Sequence, residues 1–194
     1  MASPAPSRSS PLHPGDWIQA ALSRLRERGI DAVRVELLAR DLGVSKGSFY
    51  WHFHDRADLL EAMLSLWEAE EVEWLEAAGH GMSPAARWAS FPGRTAEPER
   101  VRTEGALLAW AQSDAEIASR VAAIEEKRSN LIAEVLRDTG FALPAAKFWS
   151  EIASLLCLGW QDRMTRGTKI PLSSRSLGDL LSEVILAATA RSST

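Results

Sequence analysis

The segment LLARDLGVSKGSFYWHF, residues 37–53, decides the reading of this chain. Its first half carries a small Ala39, Gly43 follows, and an apolar Val44 leads to Ser45, a good N-cap for a helix over residues 46–53. Two helices crossing steeply through a turn of about three or four residues need these parts. The small side chain lets the helices touch, the glycine adopts the left-handed turn conformation, and apolar residues lock the second helix onto the first. Phe49 and Phe53 recur at helical spacing and supply that lock. A second helix held this way can lie in a DNA major groove with its N-terminal residues at the base edges.

Upstream, Trp17, Ile18, Ala21, Leu22 and Leu25 recur at helical spacing, with Asp16 as the expected N-cap and Gly29 as the stop. Val35, Leu38, Ala39 and Leu42 form a second, shorter amphipathic stretch. Downstream, Asp55 is placed to cap a long helix reaching about residue 78. Residues 79–100 hold several Gly and Pro and are expected to form a flexible connection with at most a short helix after Ser83 and Pro84. Helical patterns follow over 99–112, 114–138, 144–166 and 176–191. Strand alternation, hairpin signals and fixed-period repeats are absent, so the expected fold is all-α: an N-terminal three-helix module joined by a long fourth helix to a C-terminal helical body. The expected divisions are an arm over 1–14, disordered because it is rich in Pro and Ser, a helix-turn-helix domain over 15–56, and a body over 57–194.

Composition narrows the function. Hydrophobic residues make up 46% and charged ones 25% of the 194, a globular balance. No run approaches the roughly 18 apolar residues of a membrane span, and the N-terminus lacks a secretory apolar stretch, so a cytoplasmic protein without a membrane partner is expected. The lone Cys157 excludes an internal disulfide and a multi-cysteine zinc site. A net charge of -4 is unusual for a nucleic-acid binder, but residues 1–56 alone carry +2 and leave -6 for the rest.

Gly43 to Phe53, followed by Asp55-Arg56 and Leu59-Leu60, resembles the tetracycline-repressor (TetR) family, strongly from Trp17 to Leu64 and only in architecture beyond. The resemblance implies a ligand-responsive repressor that binds double-stranded operator DNA as a homodimer and is released by a small molecule. It places Lys46, Gly47 and Ser48 at base edges and nearby phosphates, with Tyr50, Trp51 and His52 along the same groove face and Arg56 at a phosphate. Side-chain chemistry agrees: Lys46 can approach guanine acceptors or phosphate, Gly47 permits close backbone approach, and aromatic edges can touch a thymine methyl. Arg34 departs from the family, which often has a capping Thr or Ser there; it is expected to reach phosphate as a cation.

In the body, Trp is more frequent than core filling usually requires, and amphipathic Trp often lines pockets for planar ligands. Trp67, Trp74, Trp88, Trp110, Gln112, Phe148, Trp149 and Ile152 are the expected ligand-binding residues for an apolar or aromatic effector. The dimer is expected from the last two helical segments, through Leu156, Gly159, Trp160, Leu181, Val184 and Ile185. A helical glycine such as Gly159 costs about 1 kcal/mol relative to Ala, a loss explained by close approach of another backbone.

Competing readings are weaker. His52 and His54 point to different sides of a helix, which argues against a metal site, and no cofactor is expected. Glu68, Glu70, Glu71, Glu73 and Glu76 spread around the fourth helix and read as a solvated face. No nucleophile is paired with a base, so an enzyme is not expected. The rival function is a ligand-binding or scaffold protein that keeps the fold without specific DNA binding.

Overall fold

Pro14 opens helix α1 (Pro14–Arg28) at a position where a missing N–H leaves no bond unmade. Asp16 lies in the first turn rather than at the cap, and its carboxylate accepts from the His13 N–H at 2.8 Å. The computed structural model describes residues 12–95, 97–168, 178–179 and 183, and every regular element among them is helical. After a 3-10 turn at Ile30–Ala32 come α2 (Val35–Leu42), α3 (Lys46–Phe49), α4 (Arg56–Gly79), α5 (Pro84–Thr95), α6 (Pro98–Ala111), α7 (Ala115–Asp138) and α8 (Leu143–Thr165). The all-α expectation therefore holds for the described residues. No described helix is long and apolar enough to cross a membrane.

Two compact units divide the chain between Trp67 and Glu68, within α4. In the first, α1, α2, α3 and the start of α4 enclose Trp17, Leu25, Leu38, Phe49, Leu59 and Met63, all fully buried. The Arg24 guanidinium donates from Nε and Nη2 to the two Asp41 carboxylate oxygens at 2.5 and 2.8 Å, joining α1 to α2. Asp55 caps α4 as expected, its carboxylate accepting from the Asp58 N–H at 2.9 Å.

In the second unit α7 packs extensively on α8, and α6 lies against both. Asp114 accepts from the Glu116 and Ile117 N–H groups and so caps the start of α7. The segment read as a flexible connection is corrected: residues 84–95 form a regular helix, with Ser83 Oγ accepting from the Ala86 N–H. Its inner side chains Trp88 and Phe91 bury against Ile132, Leu136 and Ala153, tertiary packing that outweighs local breakers. The expected helix over 176–191, including Leu181, Val184 and Ile185, lies outside the described residues except at 178–179 and 183.

Candidate functional site

Gly43 closes α2 in the left-handed conformation (φ 71°, ψ 31°), and the Val44 N–H returns to the Ala39 carbonyl at 2.9 Å. Ser45 takes the extended N-cap conformation of α3, but its side chain makes no capping bond. α3 itself is a single turn; the expected continuation to Phe53 is a turn in which the His52 and Phe53 N–H groups donate to the Phe49 carbonyl. Phe49 is the anchor. It meets Trp17 edge-on at 5.2 Å between ring centroids and stacks on Phe53 at 5.5 Å.

Burying Phe49 and Phe53 forces their neighbours outward. Tyr50 is 61% and Trp51 87% exposed, Lys46 and Gly47 are exposed, and Ser48 and His52 are half-buried. Exposed aromatics of this size at one short turn are an adhesive surface. A Cβ added at Gly47 would meet only Ser45 Oγ, at 3.6 Å, so the fold does not demand glycine there. Lys46 Nζ lies 2.5 Å from Glu36 Oε1 of α2, and that pairing holds the Glu36 carboxyl below its ordinary range. Arg34 stands at the α2 N-cap, where its Nε donates to the Asp31 carbonyl at 2.8 Å. Arg56, expected at a phosphate, donates Nε to the Val33 carbonyl at 2.6 Å and Nη2 to the Ile30 carbonyl at 2.9 Å. It therefore ties the start of α4 to the chain before α2. The guanidinium, with several donors in a planar fork, serves both carbonyls at once.

The body holds a cavity of about 410 Å³, within the size range of small-molecule pockets. Trp74, Trp88 and Phe91 form one aromatic wall, with Trp74 edge-on to Phe91 at 5.4 Å. Arg94, Arg100 and Arg128 also line it. Behind them sits Glu71, only 1% exposed, whose carboxylate accepts from all three guanidiniums. Glu104, also buried, accepts from Arg128 and from the Gln161 amide. The solvated acidic face read on the fourth helix is thus corrected at Glu71, and Glu68 is half-buried with its carboxylate bound by Arg120. A signal was present. Glu71 interrupts an apolar stripe through Leu64, Trp67, Leu75 and Ala78, and Arg128 interrupts one through Val121, Ile124, Leu131 and Ile132.

Of the eight expected ligand-binding residues, Trp74 and Trp88 line this cavity. Trp110 is buried elsewhere and Trp67 belongs to the first unit. Gln112 is exposed in the turn after α6, and Phe148 is exposed on α8. Trp149 packs on the Ile132 and Leu136 cluster, and the half-buried Ile152 does not line the cavity. α8 leaves Leu143, Phe148, Leu155, Leu156 and Met164 exposed. Gly159 is exposed with open space where a Cβ would stand, whereas Trp160 turns into its own chain and is buried.

Residues 18–63 match the family of bacterial regulatory proteins, tetR family. The tetracycline repressor protein class A from transposon 1721 of Escherichia coli is 41% identical over 59 residues, 30% of this chain and 27% of that protein. The HTH-type transcriptional regulator SrpR of Pseudomonas putida is 35% identical over 48 residues, 25% of this chain and 22% of that protein. The matched stretch spans about a quarter of these relatives' length. Among solved structures, a transcriptional regulator from Rhodococcus sp. Rha1 is similar with a TM-score of 0.73 at 18% identity, over 91% of this chain and 97% of that one. The transcriptional regulator FadR from Bacillus subtilis, in complex with stearoyl-CoA, is similar with a TM-score of 0.61 at 16% identity, over 88% and 96%. The turn module is of the helix-turn-helix class. Over residues 18–63 it is similar to the N-terminal module of the tetR family of bacterial regulatory proteins, and the chain as a whole shares the fold of the solved structures named above.

Proposed function

We propose that this protein is a transcription repressor that binds operator DNA as a homodimer and releases it when a small apolar or aromatic effector enters the body cavity. The observation that carries the DNA half is the outward display of Tyr50 and Trp51 beside Lys46 and Gly47, over a turn fixed from within by Phe49. The Lys46 ammonium, the Ser48 hydroxyl and the Tyr50 and Trp51 edges supply the contacts by which bases and phosphates are read, with His52 beside them. Arg34 adds a cation at the start of α2.

A single module of this size makes few base contacts, so pairing of two chains, with their recognition helices about 34 to 36 Å apart along the DNA, supplies specificity. The exposed apolar side chains of α8, Leu156 among them, and the open surface at Gly159 support α8 as the pairing surface. An effector beside Trp74 acts on the helix that begins at Arg56, and favours a spacing of the two modules that DNA does not fit.

A mobility-shift assay with the DNA flanking the protein's own gene tests this reading. The expected result is a sequence-specific complex that Lys46→Ala and Tyr50→Ala weaken while helical content and sedimentation stay unchanged. Equal affinity for unrelated DNA would favour a helical ligand-binding protein without specific DNA recognition.

A further inference from the structure

We infer that the effector is an apolar organic acid, whose single anionic head is bound by Arg100 and Arg94 while its body lies against Trp74, Trp88 and Phe91. This inference rests on the cavity being the effector site, as proposed above, and adds the charge of the ligand. It starts from the imbalance in the buried cluster. Arg94, Arg100 and Arg128 bring three positive charges, with side chains 23%, 9% and 17% exposed, and the buried carboxylates that answer them are Glu71 and Glu104. Arg94 also meets the exposed Glu97 carboxylate at 3.4 Å, so the one positive charge left over is an excess within the buried cluster alone.

The buried carboxylates have little capacity left. Glu71 is shared among three guanidiniums, and Glu104 is held by Arg128 and Gln161. Among the described residues, Arg94 Nε and Arg100 Nε are buried without a hydrogen-bond acceptor. An unmatched buried guanidinium donor costs free energy that a charged acceptor would recover. Burial, followed by the neighbouring Arg128, pushes the Arg100 guanidinium down to about 10.

The other carboxylates along the cavity do not supply that charge from within. Glu126 and Glu151 are exposed, and the Glu151 carboxylate accepts from Ser129 Oγ at 2.8 Å. Glu125 is half-buried, and burial raises its carboxyl toward the neutral form. The cationic end is therefore the buried end. Beside it the Arg94 guanidinium lies 5.6 Å from the Trp74 ring centroid, so head and aromatic wall adjoin.

A matched pair of probes separates charge from shape. 8-Anilinonaphthalene-1-sulfonate and N-phenyl-1-naphthylamine share one ring system, and only the first is an anion. The full chain should bind the sulfonate at least about tenfold more tightly than the neutral amine. Arg100→Met and Arg94→Gln should each bring that ratio toward one, and Ser154→Trp, which fills the cavity from α8, should abolish binding of both probes. If Arg100→Met does not fold, the more exposed Arg94 carries the comparison. A ratio near one in the unaltered protein, a ratio unmoved by both arginine variants, or tighter binding of the planar cation ethidium would overturn the anionic effector. Failure of both probes to bind, or persistence of both in Ser154→Trp, would instead remove the cavity as the effector site.

Discussion

The Lys46 ammonium stands 2.5 Å from the Glu36 carboxylate, on the exposed side of the turn module. A lysine assigned to the DNA face is thus already partnered in the free protein, and the partner repels phosphate. Glu36→Gln should raise affinity for DNA and steepen its salt dependence by about 0.9 in log-log slope, one extra counterion released. Fluorescence anisotropy titrations at several salt concentrations read both quantities. An unchanged slope would place Lys46 away from phosphate.

Gly47 offers a test that separates fold from recognition. Its surroundings accept a methyl group, and alanine is the better helix former, so Gly47→Ala should leave the melting temperature unchanged or slightly raised. If Gly47 faces DNA as proposed, affinity should nevertheless fall at least about tenfold, because the added carbon would meet the duplex. Full retention of affinity would mean that the backbone there keeps its distance from DNA.

Arg56→Ala removes the donors that serve the Ile30 and Val33 carbonyls, so its first effect is on stability. A loss of about 1 kcal/mol is expected in urea unfolding, and Arg56→Lys should restore only part of it. Were the role purely electrostatic toward phosphate, the two variants would be equally stable and only the salt slope would change.

Glu71→Ala leaves three guanidiniums around an uncharged gap. Breaking a buried ionic cluster of this kind costs about 3 kcal/mol, measurable by chemical denaturation. A cost below about 1 kcal/mol would show that water reaches the arginines freely.

Cys157 lines the cavity, and burial, reinforced by Glu104, pushes its thiol up to about 11. The reactive thiolate is then about one hundredth of the total at pH 9, and it grows as pH rises through 11. Alkylation by iodoacetamide should keep accelerating beyond pH 10. A rate that levels off near pH 9 would indicate an ordinary, solvated thiol.

The sequence was most legible where structure is local. Gly43 and Asp55 act through neighbours within a turn of chain, and Phe49 and Phe53 stack on one another four residues apart, so their spacing announces the module and the α4 cap. The body was harder to read. Arg94 and Arg100 look like surface charges one at a time, Arg128 is marked only by the apolar stripe it interrupts, and the packing of α4, α5, α6 and α7 gathers all three on Glu71. The Gly and Pro between residues 79 and 100 hid the length and regularity of α5, which is held by tertiary burial of Trp88 and Phe91. Trp110 and Trp149 were indistinguishable from Trp74 and Trp88 by type, because a helical pattern shows that a side chain faces inward but not whether space lies beyond it.

The sharing of Glu71 among three arginines bears on how this protein could be retuned as a biosensor. Removing Glu71 strands three guanidiniums at once, so variation at that carboxylate is penalised before any new ligand is gained. The aromatic wall carries no charge penalty, provided that replacements stay large and apolar enough to keep α5 packed. Libraries of large apolar residues at Trp88 and Phe91 should therefore yield folded sensors for acids of different shape, while libraries directed at Glu71 should yield mostly insoluble protein.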